Sequence, residues 1–203
     1  FGSFNRLNKI NREVIALWSG VLRAVPGSRL QMAGMPANGA PEELLQWFAA
    51  EGIAEDRLIF YPRSGVSEYL NLHNQVDFCL DTFPYTGGTT TLHALWMGVP
   101  TLTIGGHAYP SYQGALMLHQ VGLEDYFGAN NKEDFIIKAL FLVKNQIFLQ
   151  DARFKLRNYL VDGYSASLKA VVDSFSLAFQ MTWQGWCEGE KPRSIRIDNS
   201  DIN

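Results

Sequence analysis

A chain of 203 residues, 47% hydrophobic and 18% charged, has the size and composition of one globular α/β domain or of one domain with a helical annex. Its net charge of -3 and pI of about 5.8 exclude a broad basic surface for nucleic acid. No apolar run approaches the roughly 20 residues needed to span a membrane.

"FGSFN" reads as a first strand, with Phe1 and Phe4 as its aromatic residues, and leads into the polar corner "RLNKIN". The chain opens at Phe1 without an initiator Met and is expected to be a piece of something longer. From Asn11, a plausible N-cap, the pattern turns helical. Val14, Leu17, Trp18, Val21 and Leu22 form one stripe, ended by Pro26-Gly27. "RLQMAGM" predicts a strand. Pro41 suits a first helical position, and Leu44, Leu45, Trp47 and Phe48 give the next helix its apolar face. "DRLIFYP" predicts a strand and "VSEYLNLHNQ" a helix.

"VDFCLD" is nearly all apolar, as a strand covered on both faces should be. Cys79 within it reads as a small buried thiol; with only Cys187 besides, neither a disulfide framework nor a zinc site is expected, and a reducing, cytoplasmic setting fits. Thr89 to Met97 predicts a helix, "PTLTIGG" a strand and "SYQGALMLHQVG" another helix. After about Gly128 the strands are expected to stop. Residues 131–145, 148–160 and 165–186 then read as three helices, followed by an aperiodic tail over 187–203.

Strands alternating with helices predict a parallel sheet of right-handed βαβ units, in a Rossmann-like, doubly wound order. The expected domains are a nucleotide-sugar-binding domain over 1–128, C-terminal helices packing on it over 129–186, and a flexible tail over 187–203. Ligands of such sheets bind beyond the carboxyl ends of the strands. "NRLNK", "PYTGGTTT" and "GGHAYPS" are the loops that reach that edge.

In "TGGTTT", Gly87 and Gly88 permit close approach of a ligand and positive φ, and Thr89, Thr90 and Thr91 open a helix whose first N–H groups lack partners. Either a plain turn with a threonine cap or an anion cradle is consistent with this stretch alone. Its place after a buried strand at the binding edge favours the cradle. Lys9 and Arg6, just past the first strand, are a diphosphate partner or solvated surface residues. His93, one turn into the threonine helix, faces the same ligand or packs as a structural histidine. His107 is a loop residue at the same edge, whereas His73 and His119 read as structural or surface residues. Asp81, at the end of its strand, is expected to cap loop amides. No metal-ligand spacing and no Ser-His-Asp order is evident, so the site predicted from residues alone takes a nucleotide or a phosphosugar.

Five segments in order, "FGSFNRLNKI", "AVPGSRL", "DRLIFYP", "VDFCLDTFPYTGGTTTLHALWMGVPTLT" and "QGALMLHQVGLEDY", resemble the catalytic region of O-linked N-acetylglucosamine transferases. The bacterial SPINDLY-like members that follow tetratricopeptide repeats look nearest. The resemblance implies the C-terminal, donor-binding half of a GT-B glycosyltransferase that moves N-acetylglucosamine from UDP to Ser/Thr with inversion and without a metal or other cofactor. It places Lys9 on the donor diphosphate as the catalytic contact, with Thr89, Thr90 and Arg6 beside it, and the base against the corner from Pro62 to Tyr69. His93 stands where an acidic ribose ligand occurs in the animal enzymes, and Gly88 where they carry histidine. These departures leave the donor sugar open among UDP-N-acetylglucosamine, UDP-glucose and GDP-fucose. Implied partners are the nucleotide sugar, an acceptor protein, and an N-terminal catalytic half with its repeats. Another GT-B activity, such as an epimerase or a small-molecule transferase, and a non-catalytic scaffold are the alternatives.

Overall fold

The computed structural model describes residues 1–191 and 193–196, and leaves the side chains of residues 164–167 undescribed. Six parallel strands form one sheet: β1 (Gly2–Ser3), β2 (Leu30–Met35), β3 (Leu58–Pro62), β4 (Cys79–Leu80), β5 (Thr101–Ile104) and β6 (Gly128–Ala129). Their spatial order is β3-β2-β1-β4-β5-β6. The order reverses direction between β1 and β4, and that switch point is where a doubly wound sheet opens a crevice for ligands.

The helices are α1 (Arg12–Ala24), α2 (Glu42–Ala50), α3 (Val66–Leu72), α4 (Thr89–Trp96), α5 (Tyr109–Gln120), α6 (Glu124–Phe127), α7 (Lys132–Lys144) and α8 (Gln146–Cys187). Helix α1 begins where Asn11 Oδ1 accepts a hydrogen bond from the Val14 amide, 3.0 Å away, so the predicted N-cap is the observed one. Its stripe of Val14, Leu17, Trp18, Val21 and Leu22 is buried, as is Ile15. Each such side chain contributes about 1.5–3 kcal/mol of burial. Trp18 reaches furthest: its indole N–H donates to the Asp81 carbonyl at 3.0 Å and fastens α1 to the end of β4. Helix α7 starts with the same device, Asn131 accepting from the Asp134 amide at 2.8 Å.

Several expectations are corrected in detail. The ladder of β1 and of β4 covers only two residues each, because the flanking Phe4 and Asp81 already turn toward the site. Pro41 is the residue before α2 (ψ 133°), one position earlier than predicted. Strands do not stop at Gly128, since Thr103 and Ile104 pair with Gly128 and Ala129 in β6. The predicted pair of helices over 148–160 and 165–186 is one helix, α8. Gly163 lies between the two predicted ranges, but one glycine in a helix interior costs only about 1 kcal/mol and lets the ladder run on.

The chain forms two compact units, Phe1–Leu160 and Val161–Asn203. In the first unit, Phe135, Ala139 and Leu142 of α7 and Leu149, Ala152, Leu156 and Leu160 of α8 are buried. In the second, the helix exposes Leu168, Val172, Phe175, Phe179, Trp183 and Trp186, with Phe175 and Phe179 stacked 6.3 Å apart. Of the predicted tail, residues 192 and 197–203 lie outside the described residues. Among the described residues, no helix is long and apolar enough to cross a membrane.

Candidate functional site

The switch point joins two chain segments, the exit from β1 (Asn5 to Lys9) and the exit from β4 (Asp81 to Gly88). Asp81 organises both. It is buried, and its Oδ1 accepts from the amides of Thr82 and Gly87, each at 2.8 Å, and from Asn5 Nδ2 at 3.0 Å. Its Oδ2 accepts from the Thr103 hydroxyl at 2.7 Å. Burial pushes the carboxyl above the ordinary value, and these four donors oppose that shift. The predicted role of Asp81 as a cap for loop amides is therefore observed.

The glycine loop differs from expectation in its cause. Neither Gly87 nor Gly88 has positive φ; Gly88 sits at φ -109° and ψ -96°. Gly87 is required by crowding instead, because a Cβ there would lie 2.3 Å from Thr91 Oγ1 and 3.1 Å from Asp81 Oδ1. No side chain caps α4, so its first amides keep the free donors and the positive dipole end of a helix N-terminus.

Lys9 ends a 3-10 turn over Leu7–Lys9. Its Nζ donates to the Thr86 carbonyl at 2.8 Å and lies 3.9 Å from the centre of the Tyr85 ring. The ammonium is thus fixed to the glycine loop. Burial is the main cause that moves its pKa down, against the attraction of Asp81. Thr86 is itself held by the Pro110 carbonyl, which accepts from its amide and from its hydroxyl, both at 3.0 Å.

Beside this loop lies an open cleft of about 580 Å³. Arg6, Arg63, Tyr69, Thr89, Thr90 and His93 line it, and no carboxylate does. His93 Nδ1 is 3.3 Å from the Tyr69 hydroxyl, with the rings 5.5 Å apart and near perpendicular. Burial pushes the Tyr69 phenol up, so it stays a neutral hydroxyl and a donor. His73 is buried beneath Tyr69 and Phe4, and its Nδ1–H is shared between the carbonyls of Tyr69 and Leu70. Burial lowers its pKa to about 4, which makes it a neutral structural residue.

The predicted residues therefore fall into three groups. Arg6, Thr89, Thr90, His93 and Tyr69 share the cleft, while Lys9, Gly87 and Gly88 form the loop beside it. Thr91 is corrected: it is 2% exposed and turns beneath Gly87, away from the cleft. His107 lines a separate cleft with Tyr112 and Glu124, and His119 pairs with Glu124 at 2.8 Å. Cys79 is buried with its thiol pushed up to about 12, as an inert core residue. Arg63, Asn5 and Thr86 went unpredicted by name. Arg63 and Asn5 each follow a strand at its carboxyl end, a signal that was present. Among the described residues, no group of three His, Cys, Asp or Glu side chains could hold a metal ion.

A parallel sheet of this order with a crevice at its switch point defines a Rossmann-like domain. The chain belongs to glycosyl transferase family 41, whose family model matches residues 1–170. It is 31% identical over 201 residues to a probable UDP-N-acetylglucosamine--peptide N-acetylglucosaminyltransferase SPINDLY of Oryza sativa, covering 98% of this chain and 22% of that protein. Its match to the probable UDP-N-acetylglucosamine--peptide N-acetylglucosaminyltransferase SEC of Arabidopsis thaliana is 27% identical over 202 residues, 100% of this chain and 21% of that one. The chain thus spans about a fifth of the curated relatives it matches. A mutant of the Thermobaculum terrenum O-GlcNAc transferase superposes with a TM-score of 0.80 at 31% identity, over 93% of this chain and 36% of that one. Anabaena HepE in complex with UDP and glucose superposes at 0.57 and 16% identity over 86% of this chain and 47% of that one, a likeness of fold alone. The sheet and its helices are one Rossmann-like half of a GT-B fold, as predicted.

Proposed function

We propose that this chain is the donor-binding half of an inverting protein O-glycosyltransferase that transfers N-acetylglucosamine from UDP to Ser or Thr. One observation carries the reading: the Lys9 ammonium and the uncapped start of α4 converge on the Gly87–Gly88 loop, beside a cleft whose charged side chains are Arg6 and Arg63. As the glycosidic bond breaks, negative charge grows on the departing diphosphate. Lys9 and the α4 amides meet that charge in a preorganised position, and the Thr89 and Thr90 hydroxyls add donors. This set takes the leaving-group charge without a metal ion. Tyr69 and His93 offer a neutral hydroxyl and an imidazole to the ribose or base. In this reading a base for the acceptor hydroxyl belongs to an N-terminal half, the grip on the acceptor protein to a repeat array, and the whole protein is bacterial and cytoplasmic.

The likeness to the plant N-acetylglucosaminyltransferases and to the Thermobaculum O-GlcNAc transferase supports this reading. Calorimetry with UDP and GDP tests it. UDP is expected to bind weakly, and no heat from either nucleotide at millimolar concentration would sink the proposal.

A further inference from the structure

Beside the cradle lies a second, much smaller recess of about 10 Å³, set between β1, β4, α4 and β5 and sharing Phe4, Asn5 and Thr90 with the larger cleft. Three side chains on its wall carry a buried oxygen without a hydrogen-bond partner: Asn5 Oδ1, Thr91 Oγ1 and Thr101 Oγ1. Their residues are 5%, 2% and 3% exposed. The orientation of the Asn5 amide is dictated from outside the space, because its Nδ2 donates to the Asp81 carboxylate and so turns Oδ1 the other way. Phe4, Leu80 and Ala94 supply apolar wall that cannot serve the three oxygens; Cys79 also lines it, and its thiol is only a weak partner that leaves the Thr101 hydroxyl without a full hydrogen bond.

A buried polar oxygen left unpaired costs about 1–3 kcal/mol, and three around one space are not an arrangement that a stable core keeps. A water needs roughly 10–15 Å³ of such space and two to four polar partners. Two of the partners here are hydroxyls, which donate or accept as required, and the third accepts only. One water donating to Asn5 Oδ1 and bonded to both hydroxyls satisfies all three oxygens.

We propose that one internal water is bound by Asn5, Thr91 and Thr101 and forms, with the Asn5–Asp81 bond, the floor of the anion cradle. Through it the residue before Arg6 is tied to the first turn of α4, so that Asn5 and Thr91 act as positioning residues for the cradle. The water stands independently of the donor-binding reading; its effect on nucleotide affinity rests on that reading.

Thr101→Val decides the matter. It exchanges a hydroxyl for a methyl at nearly constant volume, on a strand clear of the donor cleft. If the water is present, the change removes one of its three partners, and Tm falls by about 2–4 °C for a chain of this length. If the space is dry, the same change removes an unpaired hydroxyl and Tm rises, which overturns the proposal. Thr91→Val alone and in combination is expected to be less than additive with it, since both variants disturb one water; strict additivity also overturns it. A crystal structure that orders waters should show one peak within about 3 Å of all three oxygens. Calorimetry with UDP on Thr101→Val is expected to show roughly a 3- to 10-fold weaker Kd, and an unchanged Kd refutes the positioning role. Should the native chain bind no UDP, the donor reading fails while the sign of the Tm shift still judges the water.

Discussion

Two loops of this molecule run from a parallel strand through paired glycines into a helix, and they end up with opposite properties. The loop after β4 is drawn inward by Asp81, which takes the amides of Thr82 and Gly87 onto one carboxylate oxygen. With the loop held from below, α4 begins without a side-chain cap, and its amides stay free. The loop after β5 has no such anchor. It closes on itself: Ser111 Oγ accepts from the Ala108 amide at 3.1 Å and donates to the Ala108 carbonyl at 2.7 Å, while the Gly106 amide donates to the Ser111 carbonyl at 2.9 Å. Pro110 in the first turn of α5 removes one further donor. Both helices start without a side-chain cap, so what separates the two loops is the Asp81 anchor beneath the first.

The comparison breaks most visibly at its anchor. Asp81→Ala leaves two amides, an amide side chain and a hydroxyl unpaired in the core, and is expected to lower stability by about 3–5 kcal/mol in urea unfolding. Next come the glycines. Gly87→Ala drives a Cβ to 2.3 Å from Thr91 Oγ1, so a loss of about 1–3 kcal/mol and of UDP binding is expected. Gly105→Ala meets Ala115 Cβ at an ordinary 3.5 Å and should change stability by no more than about 0.5 kcal/mol; equal costs for the two would erase the distinction. Lys9→Ala is expected to weaken UDP binding by about 1.5–3 kcal/mol in calorimetry, with folding left nearly intact. Ser111→Ala should cost only about 1 kcal/mol in thermal melts and leave the UDP affinity unchanged.

What could be read in advance followed from periodicity and chain order. The α1 stripe, the alternation of strands and helices and the turn before Thr89 are local signals, and the structure repeats them. The position of Lys9 beside the glycine loop followed from knowing which strand ends face the crevice. Harder to see were features set by contacts across the sequence. Nothing near Thr91 told that its hydroxyl turns inward, because that depends on the absence of a Cβ at Gly87 and on the bulk of neighbouring strands. The role of Asn5 needed Asp81, 76 residues later in the chain. The union of the two predicted helices into α8 was hidden for a different reason: the helix penalty of Gly163 between them is small beside the cooperative gain of continuing the ladder.

The bond from Lys9 to Thr86 joins residues 77 positions apart. Neither half of the cradle can therefore assemble by local folding. Both wait until β4 has paired with β1, a step that pays loop-closure entropy across most of the sheet before any contact rewards it. A nucleotide that binds only the completed cradle then stabilises the finished strand order by mass action, about 2.7 kcal/mol at a hundredfold excess over its Kd. If the chain binds a nucleotide as proposed, that binding also reports that the sheet has closed in the right order.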